Sequence, residues 1–234
     1  MELIELEDHF NTAGGQFISS AYTMQQKLQN IKAFVFDWDG VFNDGFKHST
    51  VGSGFSEVDS AGLRLLRFAF YQAKQTNAPL AIITGAENPT AKWLLEKQNG
   101  NALYQKALDK NVALEHFCNK HGFKAKEVAF VYDDVIDLPI AKQCGLSFCM
   151  GRLANPLFLR YVEENELADY ITASQGNEHG VREVCELLVG LYGNYDACLE
   201  GLLERNDSYR QHKEDLKSYK TEIFEIDGTD VIIA

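Results

Sequence analysis

Positive charge is scarce in this sequence: 22 lysines and arginines stand against 34 aspartates and glutamates in 234 residues, a net charge of −12. Nucleic acid and anionic membrane surfaces are therefore not the expected partners. No stretch approaches the roughly 20 apolar residues needed to cross a bilayer. The first residues, Met1-Glu2-Leu3-Ile4-Glu5-Leu6-Glu7-Asp8, lack the basic start and apolar centre of a secretion signal. The five cysteines are odd in number and form no CxxC pair. That pattern predicts reduced thiols in a cytoplasmic protein. There is no internal repeat and no low-complexity tract. What is present is ordinary globular material, 45% hydrophobic and 24% charged, enough for one domain with a real core plus extensions.

The most informative stretch is Ile31-Lys32-Ala33-Phe34-Val35-Phe36-Asp37-Trp38-Asp39-Gly40. An apolar run that reads as a buried strand ends in two carboxylates one residue apart. In an open α/β sheet the carboxyl end of a strand is where ligands bind. Two clustered carboxylates repel, so such a site needs a cation, a shared proton, or both. Taken alone, Asp-Trp-Asp-Gly also reads as a plain solvated turn. Three further features weigh against the turn. Leu80-Ala81-Ile82-Ile83 ends in Thr84-Gly85, Lys110 lies in a polar stretch after Ala102-Leu103-Tyr104, and Val128-Ala129-Phe130-Val131-Tyr132 ends in Asp133, Asp134 and Asp137. An acid pair, a hydroxyl with a backbone amide, an ammonium and an acid cluster thus follow in order at strand ends. Together they suit a divalent metal and a phosphoryl group, with one carboxylate free to act as nucleophile.

Periodicity predicts one helix from Gly15 to Asn30, then a β-hairpin flap from Val41 to Gly54. Asp59 or Ser60 is expected to cap the next helix, whose Leu63, Leu66 and Phe70 face the core. Strands and helices then alternate. Asn88-Pro89, Pro139 and Asn155-Pro156 open helices, Gly122 stops one, and Tyr170-Ile171 is a last short strand. The expected fold class is α/β, a Rossmann-like doubly wound parallel sheet with helices on both faces, capless but for the flap. Residues 1–30 read as a helical extension, 31–193 as the main domain, and 194–234 as a charged helical stretch. The last of these ends in an apolar tail, a possible hairpin around Asp227-Gly228 that should dock on some surface.

Asp37-Trp38-Asp39-Gly40, Thr84-Gly85, Lys110 and Asp133-Asp134-x-x-Asp137 resemble the four motifs of the haloacid dehalogenase superfamily of phosphotransferases. The segment Phe55 to Gly62, Leu103-Tyr104-Gln105 and Gly180-Val181-Arg182-Glu183-Val184-Cys185 resemble the 3-deoxy-manno-octulosonate 8-phosphate phosphatases and their nine-carbon sugar-acid relatives. The likeness runs from about Ile31 to Leu188.

The resemblance implies a magnesium-dependent phosphomonoesterase acting through an aspartyl-phosphate on an eight- or nine-carbon sugar-acid phosphate. Asp37 is then the nucleophile and Asp39 the general acid–base. Magnesium is held by the Asp37 and Asp133 side chains with the Asp39 carbonyl. Thr84, the neighbouring Gly85 and Lys110 hold phosphoryl oxygens. Asp134 and Asp137 orient metal waters and Lys110, and Asp59 and Ser60 lie toward substrate. A homotetramer whose neighbours close the open site is implied as well. Asp137 also suits a cap for the Leu138-Pro139 helix, and Lys106 is a rival to Lys110. Tyr132, Val58 and Ala86 depart from the family pattern, and they keep in view another phosphorylated metabolite or a binding protein with weak catalysis. Receiver domains use the same residue types with the acid pair ahead of the acceptor Asp, the reverse of the order here.

Overall fold

The protein is described by a computed structural model that covers residues 1–47 and 52–234. Its strands are β1 (Gln16–Phe17), β2 (Ala33–Phe36), β3 (Leu80–Ile83), β4 (Ala102–Gln105), β5 (Val128–Tyr132), β6 (Leu146–Cys149), β7 (Tyr170–Ile171), β8 (Glu222–Asp227) and β9 (Asp230–Ile233). The helices are α1 (Leu3–Thr12), α2 (Ala21–Leu28), α3 (Glu57–Lys74), α4 (Pro89–Gln98), α5 (Lys110–His121), α6 (Leu138–Ala141), α7 (Pro156–Glu164), α8 (Gly180–Tyr192), α9 (Tyr195–Glu204) and α10 (Asp207–Leu216).

The strands form one sheet in the order β1-β7-β6-β5-β2-β3-β4-β8-β9. All interior pairings are parallel; only the edge strands β1 and β9 run antiparallel to their neighbours. Helices cover both faces. Phe34 and Phe36 join a core with residues of α2, α3, α4 and α8, while Ala33 and Val35 face α5, α6 and α7. Burial on both sides explains why the central strands are continuous apolar runs. From β2 the chain steps to β3 and β4 on one side, then returns to build β5, β6 and β7 on the other. The crevice between β2 and β5 is thus the topological switch point, where open α/β sheets bind ligands.

The local signals act largely as their chemistry requires. Asn88 and Asn155 precede helices with proline at the first position, and Gly122 ends α5 in the left-handed region at φ 72°. Three expectations are corrected. Gly15 to Asn30 is not one helix: Gln16–Phe17 pairs with β7, and a fresh helix starts at Ala21, capped by Ser20 accepting from Thr23 N–H at 3.2 Å. A Cβ on Gly15 would fall 1.6 Å from the Tyr170 hydroxyl, so this close approach requires glycine. The cap of α3 is Ser56, which accepts from Val58 N–H at 3.1 Å; Asp59 and Ser60 are inside the helix. The charged stretch after Asn194 is two helices, broken where Arg205 turns left-handed and Asn206 caps α10.

The expected flap falls partly on residues 48–51, outside the described residues. On either side, residues 41–47 and 52–56 carry turns or irregular chain and no strand. The tail does form a hairpin, and it docks on its own subunit: β8 pairs with β4 from Ala102↔Glu222 to Gln105↔Glu225. No helix is long and apolar enough to cross a membrane among the described residues.

Candidate active site

The register of the central strands assembles the site. Phe36 stands opposite both Ile82 of β3 and Val131 of β5, so the ends of the three strands lie level. One residue further, the Asp37 N–H donates to Val131 O at 2.9 Å, which delivers its side chain to the lip beside Asp133. Carboxylate oxygens of Asp37, Asp133 and Asp137 lie within 4.8 Å of one another, and all three residues are buried. Lys110, the first residue of α5 after its cap Asp109, points into this cluster. Its Nζ is 2.6 Å from Asp37 Oδ1 and also donates to Asp137 Oδ1. Arg152 closes the other side, with Nη2 2.8 Å from Asp133 Oδ2 and 3.3 Å from the Gly40 carbonyl. Gly40 has φ +86°, and a Cβ there would sit 1.9 Å from Asp133 Oδ2, so the turn and the close approach both demand glycine.

Three buried carboxylates thus face two cations. Burial pushes the Asp37 carboxyl up to about 6, with Lys110 opposing and Asp133 adding to the rise. Burial likewise pushes Asp133 up to about 6, where Arg152 opposes, and Asp137 up to about 7, where Asp37 adds. Burial works against the Lys110 ammonium as well, yet Asp37 and Asp137 together hold it above the ordinary lysine range. The cluster is short of positive charge. Asp137 Oδ2 is buried with no hydrogen-bond partner among the described residues. An all-oxygen donor set of this kind fits a hard divalent cation such as magnesium.

The other sequence-derived residues distribute as follows. Thr84 leaves β3 at the same lip, and its buried Oγ1 accepts from Asn88 Nδ2 at 3.1 Å. The Asp39 carboxylate accepts from Ser53 Oγ at 2.7 Å and from the Lys47 ammonium. Gly85 is exposed, and a side chain there would meet open space. Asp134 is exposed and accepts from the Val135 N–H at 2.7 Å rather than joining the cluster. Lys106, the rival lysine, pairs with Glu225 at 2.8 Å.

Asp59 and Ser60 are not brought to the cluster. Both are fully buried in the first turn of α3, where Asp59 accepts from the Arg182 N–H at 2.9 Å and Ser60 from Gln98 Nε2. Asp59 thereby caps α8 from a neighbouring helix. Tyr132 does not crowd the site: its hydroxyl donates to Leu167 O at 2.9 Å and its ring stacks on Phe130. Val58 is 42% exposed and Ala86 is half-buried. His179 is half-exposed, its Nδ1 4.0 Å from Asp59 Oδ2; His48 is outside the described residues. Sequence reasoning missed Arg152, Ser53 and Asn88. A cation just past the apolar strand β6 was a usable signal for the first; the other two read as loop filler and helix cap.

No family model matches the chain. It is 31% identical over 170 residues to the 3-deoxy-D-manno-octulosonate 8-phosphate phosphatase KdsC of Salmonella typhi, covering 73% of this chain and 85% of that protein. The crystal structure of the phosphatase of that name from Moraxella catarrhalis, in complex with a magnesium ion, a phosphate ion and a KDO molecule, is similar at a TM-score of 0.62. It is 29% identical, and the match spans 76% of this chain and 97% of that one. The Yersinia pestis phosphatase of the same name is 28% identical at a TM-score of 0.61, over 74% of this chain and 89% of its own. The chain is a haloacid dehalogenase-type hydrolase of phosphoric monoesters. Within that superfamily, the chain belongs to the 3-deoxy-D-manno-octulosonate 8-phosphate phosphatase-like family.

Proposed function

We propose that the protein hydrolyses the phosphate ester of an eight- or nine-carbon sugar acid, 3-deoxy-D-manno-octulosonate 8-phosphate foremost, through a phospho-aspartate on Asp37. The observation that carries this reading is the Asp37 carboxylate at the switch point, one oxygen oriented by the buried Lys110 ammonium. Its other oxygen attacks phosphorus in line as the P–O bond to the sugar breaks. Asp39 gives the departing sugar oxygen a proton, then takes one from the water that hydrolyses the phospho-aspartate, releasing phosphate and restoring Asp37. Asn88 occupies an acceptor position on the Thr84 hydroxyl, leaving its O–H to bind a phosphoryl oxygen beside Lys110. The Asp37 and Asp133 carboxylates and the Asp39 carbonyl would hold magnesium, with Asp134 and Asp137 orienting its waters. When bound, the ion neutralises phosphoryl charge as a Lewis acid. Gly85 supplies the amide beside Thr84.

Tyr132, one of the three departures that kept a binding protein in view, is hydrogen-bonded to Leu167 O, which supports turnover. Assembly as a homotetramer is part of the proposal. Phe46, Leu108, Ile136 and Leu153, all on loops leaving the carboxyl ends of strands, are 70%, 89%, 66% and 92% exposed. An apolar rim around a polar site suits a neighbouring copy that excludes water. Five free thiols fit a cytoplasmic setting.

A panel of phosphate esters with magnesium tests the function. The sugar-acid phosphates should be preferred, Asp37→Asn should abolish turnover, and Asp39→Asn should cost about 10²–10⁴-fold. Near-normal hydrolysis by Asp37→Asn would end the phospho-aspartate mechanism. Light scattering that finds a fully efficient monomer would end the tetramer.

A further inference from the structure

Asp39 is only as useful for proton transfer as its aim. Its carboxylate is not packed in the core, and its side chain keeps 20% of its exposure. What holds it is a chain of hydrogen bonds beginning in the core. Trp38 is fully buried, stacked on Phe42 at 5.0 Å between ring centres. Its indole Nε1 is 2.8 Å from Ser53 Oγ. An indole N–H only donates, so the serine oxygen accepts there. The serine proton must then go elsewhere, and among the described residues two acceptors are in reach: Asp39 Oδ1 at 2.7 Å and Asn88 Oδ1 at 3.3 Å. The shorter bond, to Asp39, prevails.

Ser53 is itself pinned. It is 6% exposed, its carbonyl accepts from Thr90 Oγ1, and the next carbonyl, Gly54 O, accepts from Asn43 Nδ2 at 3.2 Å. Asn88 stands at the start of α4, yet its side chain makes no capping bond. Its amide instead donates to Thr84 Oγ1 and lies beside Ser53. A single network therefore joins the buried side chains of Trp38, Ser53, Asn88 and Thr84 to the partly exposed Asp39.

We infer that Ser53 is a positioning residue: oriented by Trp38, it holds the Asp39 carboxyl group aimed at the ester oxygen that leaves. The inference rests on the proposed role of Asp39 as proton donor. Trp38 is then more than core packing, since its N–H sets the direction of the serine hydroxyl. Lys47 holds the second Asp39 oxygen from a largely exposed position and contributes less order.

The test compares kcat/KM on two esters. The sugar oxygen of 3-deoxy-D-manno-octulosonate 8-phosphate needs a proton to leave, whereas p-nitrophenolate from p-nitrophenyl phosphate does not. Ser53→Ala should lose about tenfold or more on the sugar ester and less than about threefold on the aryl ester. Ser53→Thr, which restores a hydroxyl, should recover the sugar ester to within about threefold of the parent. Should the sugar ester not be turned over, phenyl phosphate takes its place as the more basic leaving group. Equal losses on both esters, or no loss on the poorer leaving group, would overturn the inference. Asp39→Asn run alongside separates the two ideas. If Asp39→Asn shows the leaving-group dependence and Ser53→Ala does not, only the role of Ser53 falls; if Asp39→Asn shows none, the proton-donor reading falls first. Should circular dichroism show Ser53→Ala misfolded, Trp38→Phe, which removes the donor and keeps the ring, carries the same expectation.

Discussion

Lys110 Nζ lies 2.6 Å from Asp37 Oδ1, with both side chains almost wholly buried. The same ammonium donates to Asp137, so one cation serves two carboxylates whose affinities for the proton burial has already raised. Truncating one partner of such a group leaves uncompensated buried charge.

Lys110→Met should therefore reduce kcat/KM at least about 10²-fold, as removal of one anion-stabilising donor does. It should also destabilise the metal-free protein at pH 8. Carboxyls whose folded pKa is raised weaken the fold above that pKa, and the penalty fades as they protonate. The values of about 6 for Asp37 and about 7 for Asp137 already include the opposing pull of Lys110; without it both carboxyls rise further, so the deficit against the parent should be larger at pH 8 than at pH 5. Urea unfolding at pH 8 and pH 5 checks this, and an equal deficit at both would contradict it.

Chelation should abolish hydrolysis while leaving the far-ultraviolet spectrum unchanged, because the acidic cluster sits at strand ends and the strands are held by both cores. Magnesium should raise the melting temperature. At a hundredfold excess over Kd the linkage is about 2.7 kcal/mol, worth roughly 5–10 °C in a chain of this length. Full activity in excess chelator would remove the metal from the mechanism.

Deletion from Thr221 onward should lower stability by at least about 3 kcal/mol. It strips β8 from the edge of β4 and removes Phe224, whose ring stacks on Tyr104 at 5.0 Å between centres. The uncovered β4 edge should also promote association. Unchanged melting and solubility would show the hairpin to be dispensable.

Buried His212 gives a pH signature of its own. Its Nδ1 is 2.6 Å from Asn77 Oδ1, and burial, with Arg67 and Lys213 adding, depresses its pKa to about 3. The unfolded chain protonates this histidine near 6.5 while the folded chain keeps it neutral. Its contribution is thus fully present above about pH 6.5 and lost as pH falls toward 3, by at most about 1.4 kcal/mol per pH unit. Carboxyls with raised values run the opposite way in both proteins, so the difference between the parent and His212→Gln isolates the effect. That difference should shrink as pH drops below 6.5; a difference independent of pH would contradict it.

The parallel α/β fold and the acid-bearing strand ends were legible in the chain, because both are written locally. A short apolar run buried on two faces must be a strand, and charge can follow it only where the strand leaves the core. Asp37, Thr84 and Asp133 could be placed at the lip for that reason, whereas Lys110 stands at the start of α5 and reaches the lip from there; the Asn-Pro helix starts and the glycine stop were local signals too. Other features depend on contacts between segments far apart. Gln16–Phe17 is a strand because β7 offers it an edge, and Glu222–Asp227 extends the sheet because β4 would otherwise be bare. Asp59 looks like an N-cap for its own helix and instead caps α8, more than a hundred residues away in sequence. Arg152 meets Asp133, and Ser53 meets Trp38, Asp39 and Asn88, only once β6, the loop after β2 and the start of α4 converge at one lip. Periodicity and capping report the environment of a residue along its own segment. Which distant donor finds which acceptor is set by register and packing, and no local pattern encodes that.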